Sequence, residues 1–160
     1  MQYKRIYDLV NNVIKPLIKE IKKAKNTKRM PYKEIKAILD MLYPDTKNEN
    51  VGQGYFKRVF IIHTKKRWLA LKIGRSNKDM RKDATTYKSI PLNVRNRYFA
   101  KVYWTSGLFM LQKYGEKAKV PKNEKQRLKA MGTRYGLKDI RDANIMKVGN
   151  RFKIIDAERR

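Results

Sequence analysis

The chain has no cysteine, which excludes disulfides, a thiolate metal site and a cysteine nucleophile. Its single histidine, His63, cannot build a histidine-based metal cluster and sits in an apolar, strand-like run, where it reads as a packing or edge residue. Long apolar runs are missing as well: none approaches the roughly 18 residues that a membrane-spanning helix requires. The opening residues, Met1-Gln2-Tyr3-Lys4-Arg5, lead into a segment charged throughout, unlike a signal peptide. A cytoplasmic setting and no membrane span are therefore expected. Acidic residues are scarce, with 14 Asp+Glu against 41 Lys+Arg, for a formal net charge of +27. Such a surface attracts phosphate backbones and anionic lipids, and nucleic acid bound to it releases counter-ions. On charge alone, polyanion binding and simple solvation of lysine-rich faces stay equally open, because no nucleic-acid motif accompanies the charge.

What is present suits one domain with a small appendage. The 160 residues are 41% hydrophobic, enough for a real core. Residues Tyr3 to Lys25 repeat apolar side chains at helical spacing (Ile6, Leu9, Val10, Val13, Ile14, Leu17, Ile18, Ile21), predicting one long helix. Pro16 should kink or divide it near Lys15. A second helix carries Ile35, Ile38, Leu39 and Leu42 and stops at Tyr43-Pro44. Asp45 to Asn50 reads as a polar linker. The period then becomes strand-like over Val51 to Thr64 and Arg67 to Ile73, joined by a lysine-rich turn. Ser76 to Lys88 reads as a helix with Ser76 available as its cap. Phe99 to Trp104 and Leu108 to Lys113 read as strands. A charged helix follows Pro121 and ends at Gly136, and Ile145-Met146 and Phe152 to Ile155 form short strands around Gly149-Asn150. Trp68, Trp104 and the ten tyrosines are read as core aromatics, although exposed ones could stack on bases.

Three segments carry chemistry. Val51-Gly52-Gln53-Gly54-Tyr55-Phe56-Lys57-Arg58-Val59 is either a turn or a loop whose glycines let backbone N–H groups approach phosphate. It is not a Walker loop, since no Gly-Lys-Ser/Thr follows, and it does not open into a helix. Lys72, between Leu71 and Ile73, needs an anionic partner or a route to water. It is either an edge-strand lysine or a phosphate-holding one paired with a carboxylate on the next helix, where Asp83 is favoured over Asp79. Asp139-Ile140-Arg141-Asp142-Ala143-Asn144 and Ile155-Asp156 supply two carboxylates and an amide oxygen, the groups phosphoryl transfer uses for its hydroxyl and its magnesium. Taken singly, each aspartate could be a turn former or a surface residue. Taken together, they form a set.

In order and spacing these segments resemble the protein-kinase superfamily, and within it the small atypical, RIO-like members, over roughly Val51 to Glu158. The resemblance implies an α+β fold with a five-stranded antiparallel small lobe at 47–115 and a minimal second lobe at 116–160, preceded by the basic helical segment read above at 1–46. It implies ATP and Mg2+ as ligands, with Gly52, Gly54, Phe56, Val59, Lys72, Asp83, Gln112 and Tyr114 around the nucleotide. Gln112-Lys113-Tyr114-Gly115 would be the hinge meeting adenine through its backbone. Asp139 would be the catalytic base, Arg141 would lie toward the transferred phosphate, and Asn144 and Asp156 would be the magnesium ligands. Asp142 is set aside, because the five-residue spacing to Asn144 selects Asp139. The chain departs from the pattern at Lys57 (third glycine), Leu137 (a histidine in the family), Asp83 (shorter than glutamate) and Ala157-Glu158 (Phe-Gly). The expected activity is phosphorylation of a protein or of the chain itself. The alternative is a catalytically weak module that binds nucleic acid or an acidic protein through its basic surface.

Overall fold

The computed structural model describes residues 4–23, 32–42, 48–53, 57–63, 68–74, 77–138, 140–156 and 158–159. They form a mixed α+β structure around a five-stranded antiparallel sheet. Its strands are β1 (Asn48–Gln53), β2 (Lys57–His63), β3 (Trp68–Gly74), β4 (Val102–Ser106) and β5 (Phe109–Tyr114), in the order β1-β2-β3-β5-β4. Asn48 to Asn50, expected as linker, begin β1 and pair with Phe60 to Ile62. Polar composition suits an edge strand as well as a loop, which is why the boundary was missed. The run from Val51 to Thr64, expected as one strand, divides into β1 and β2.

Alternation along the strands builds two different faces. Phe60 and Ile62, Leu69, Leu71 and Ile73, and Phe109 and Leu111 point to one side. There they meet Ile6, Leu9, Val10, Ile14, Ile18, Ile35 and Leu39 of the N-terminal helices, so the amphipathic stripe is covered by the sheet. Those helices are α1 (Lys4–Leu9), α2 (Lys15–Lys23) and α3 (Tyr32–Leu42), with a π-helical turn at Val10–Ile14 between the first two. The turn explains how the helix tolerates Pro16. A regular helix would bring the proline ring against the carbonyl four residues back; here the Lys15 N–H reaches back five residues to the Val10 carbonyl and the backbone widens. The extra residue swings Val13 off the apolar face: it is 40% exposed, whereas Val10 and Ile14 are fully buried.

The opposite face carries Val59, Ile61, Ala70 and Tyr114, which pack with Met146, Val148 and Ile155. Helix α4 (Asn77–Ser89) lies beside it, in contact with β3 and β5. Ser76, its expected cap, lies outside the described residues. Helix α5 (Leu92–Tyr98) was not foreseen, because it buries no residue fully.

A second core joins Ile90, Phe99, Leu128, Met131, Ile140 and Ile154, among others. It is built on α6 (Lys122–Arg134), β6 (Leu137–Lys138) paired with β9 (Glu158–Arg159), and the hairpin β7 (Ile145–Val148) and β8 (Arg151–Ile154). Gly136 and Gly149 have φ of 70° and 62°, the left-handed geometry that ends α6 and turns the hairpin. No helix among the described residues is long and apolar enough to cross a membrane.

Candidate functional site

Lys72 occupies a centre strand on the face turned toward the second core. Its register partners are Val59 on β2 and Met110 on β5. Only 4% of the residue is exposed, and its ammonium donates to the Ile155 carbonyl at 2.5 Å. An ammonium this deep is costly unless anions and hydrogen-bond acceptors surround it. Asp83 of α4 and Asp156, just past β8, line the same pocket, together with Gln112, Thr86 and Met110. The fold thus brings together four residues separated by up to 84 positions, all named from sequence: Lys72, Asp83, Gln112 and Asp156.

The pocket is small, about 30 Å³, room for one or two waters. Gln112 is 3% exposed, and its Nε2 donates to the Ala100 carbonyl at 3.0 Å. That carbonyl can only accept, which fixes the amide orientation. Gln112 Oε1 is left buried with no donor, an orphan acceptor in a polar pocket. Gln112 therefore offers a side chain, since its backbone lies inside the sheet between Ala70 and Val102. Met110, Thr86 and Ile155 were not anticipated. The period-two register with Lys72 was the available signal for Met110.

Asn144 ends a 3-10 turn, Asp142–Asn144, and its carbonyl accepts from the Ile155 N–H at 2.9 Å. This bond ties the Asn144 backbone to the residue preceding Asp156. Arg141 is exposed. Asp142, also exposed, pairs with Lys125 at 2.6 Å. Among the described residues no three carboxylates or histidines cluster as a self-sufficient metal site. Asn144 and Asp156 would therefore hold magnesium only with phosphate oxygens completing its shell, as that ion commonly binds. Gly52 lies in β1, where the register with β2 slips between Asn50 and Gln53. Gly54, Phe56 and Asp139 lie outside the described residues.

Val59 and Tyr114 belong to the apolar layer beside the pocket, and this layer is closed. Met146, 1% exposed, packs there with Ala70 and Tyr114, and the Gly115 N–H donates to its sulfur at 2.8 Å. Glu116 and Lys147 then exchange two backbone hydrogen bonds of 2.9 Å, clasping the chain after β5 to β7. Gly115 is essential to this approach, because a Cβ on it would lie 2.1 Å from the Lys147 carbonyl oxygen. The clasp had no local sequence signal. No family model and no curated protein sequence matches this chain.

Proposed function

We propose that the chain binds ATP with magnesium and transfers the terminal phosphoryl group to a protein hydroxyl, its own included, as a small kinase-type phosphotransferase. The observation that carries the reading is the shared pocket of Lys72, Asp83, Gln112 and Asp156. Further support comes from the β1-β2-β3-β5-β4 order with α4 beside β3, and from the β7–β8 hairpin leading to Asp156, the arrangement expected of a kinase-like small lobe and catalytic segment. ATP and magnesium supply the phosphoryl group and the charge neutralisation. Lys72 would hold phosphate oxygens, Asp83 would orient its ammonium, and Asn144 and Asp156 would hold the metal. Gln112 Oε1 suits an amino group on the bound ligand. Asp139 is assigned the attacking hydroxyl through the resemblance alone, and Arg141 the transferred phosphate.

The polar residues fit these ligands, but the apolar layer does not accept a nucleobase as it stands. Met146 fills it, and the Gly115 N–H is engaged on sulfur. Binding therefore requires Met146 to swing aside. That closure favours a second reading, a catalytically weak binding module of the same fold. Thermal melts with millimolar ATP and magnesium, together with transfer of labelled phosphate, separate the two. A ligand held only by the folded state raises the melting temperature by mass action, and Lys72→Ala should weaken the rise. A melting temperature indifferent to ATP would remove both the nucleotide and the enzyme. A rise without transfer would leave the module.

A further inference from the structure

Gln112 Oε1 is a buried acceptor without a donor among the described residues, and Gln112 lines the same pocket as Lys72. We propose, resting on the nucleotide reading above, that this oxygen selects the base of the bound nucleotide. It accepts from the exocyclic amino group of adenine and turns away a base that carries a carbonyl there.

Three observations support the assignment. First, the amide cannot rotate to suit its ligand. Its Nε2 donates to the Ala100 carbonyl at 3.0 Å, and a flipped amide would set two acceptors against each other. Oε1 therefore stays an acceptor. Second, Gln112 is 3% exposed, and an acceptor that deep costs free energy until a donor reaches it. A ligand N–H recovers that cost, whereas a ligand carbonyl adds repulsion to it.

Third, the strand register sets Gln112 between the apolar layer and Lys72. Gln112 is opposite Ala70, which packs in that layer with Met146 and Tyr114. Lys72 is the next residue of β3 on the same face, opposite Met110. Diagonal neighbours on a sheet lie roughly 7–8 Å apart, so a bent nucleotide can bring its base edge to one and a phosphate to the other. A flat ring taking the place of Met146 over Ala70 would turn an edge toward Gln112. This contact is separate from the backbone contacts after β5 that the resemblance implies, where the Gly115 N–H is held by the Met146 sulfur. A water molecule could also satisfy Oε1, but it would do so without regard to the base.

The test is calorimetric titration of the full chain, with magnesium, using ATP, ITP and purine riboside triphosphate. ITP replaces the amino group with a carbonyl, and the riboside analogue has only hydrogen there. ATP should bind at least about tenfold more tightly than either. Gln112→Met keeps the length of the side chain and removes the acceptor. ATP should then lose about tenfold, and the three ligands should converge to within about threefold. Lys72→Ala should weaken all three by a common factor, because it acts on phosphate. Circular dichroism checks that both variants fold; if Gln112→Met does not, the ligand series on the parent protein decides alone. Equal affinity of the three ligands for the parent, or a preference that survives Gln112→Met, would overturn the proposal and leave nucleotide binding standing. Binding of none of them would remove the nucleotide reading, and this proposal with it.

Discussion

Replacing Gly115 by alanine tests the clasp between the two halves of the molecule. The new Cβ would lie 2.1 Å from the Lys147 carbonyl oxygen, 2.9 Å from its carbon and 2.9 Å from Val148 Cγ2, where ordinary contact begins near 3.4 Å. Two of these three neighbours are backbone, so relief requires the segment after β5 to move away from β7 by about an ångström. That motion stretches both Glu116–Lys147 hydrogen bonds, at roughly 1 kcal/mol net each. Residual overpacking adds about 1–3 kcal/mol, and a loss on the order of 3–5 kcal/mol follows. At some 2–4 °C per kcal/mol for a chain of this length, the melting temperature should fall by about 6–20 °C. Hydrogen exchange at the Glu116 and Lys147 amides should accelerate beyond that of other paired amides. Gly149→Ala is the contrast: nothing lies within 4 Å of its Cβ, and only the φ of +62° opposes a side chain, costing about 1–2 kcal/mol. A Gly115→Ala protein that melts within about 2 °C of the parent, with both amides still protected, would refute the argument.

Three further outcomes are expected. Leu39→Ala, at a fully buried position between the helices and the sheet, should cost roughly 2–5 kcal/mol in chemical denaturation; an effect under about 1 kcal/mol would mean that the helices do not share the sheet's core. Asp156→Asn should impair both ATP binding and phosphate transfer, Asp139→Asn transfer alone by orders of magnitude, and Asp142→Asn neither, since its exposed pair with Lys125 is worth less than about 1 kcal/mol; full activity in Asp139→Asn would end its assignment as base. Because burial first, then Arg151 and Lys113, lowers the Lys153 pKa in the fold, the unfolded chain binds more protons than the native one between that value and 10.5. Stability gains from this group as pH rises through the window. Lys153→Met should stabilise the protein below the window and lose the advantage toward its top, read from urea midpoints against pH; a difference that does not vary with pH would contradict the lowered pKa.

What the sequence made legible was local. Apolar periodicity located α3, and cap and stop signals at Ser76, Pro121 and Gly136 located α4 and α6; α5, which buries no residue fully, was missed. The order of Lys72, Asp83, Asn144 and Asp156 could be read because spacing survives in one dimension. That Lys72, Asp83 and Asp156 meet in one pocket could not be computed from spacing, although the alternation of β3 already put Lys72 on the side away from Leu71 and Ile73. The polar start of β1 resembled a linker because an edge strand tolerates the same residues. Closure by Met146 and Gly115 was invisible, since a close approach between distant backbones leaves only a glycine as its trace.

The widened turn at Val10–Ile14 has a consequence for how this helix could change over time. It holds one residue more than its contacts with the sheet demand. Deleting Asn11 or Asn12 and replacing Pro16 with a residue that keeps its N–H would permit an uninterrupted α-helix. Ile14, Leu17 and Ile18 would then come into phase with Ile6, Leu9 and Val10 on a single narrow stripe, at 100° of rotation per residue. The present chain and its shorter counterpart would cover the sheet equally well. A change in helix length, normally among the least forgiving edits to a protein, is here accommodated without a loop.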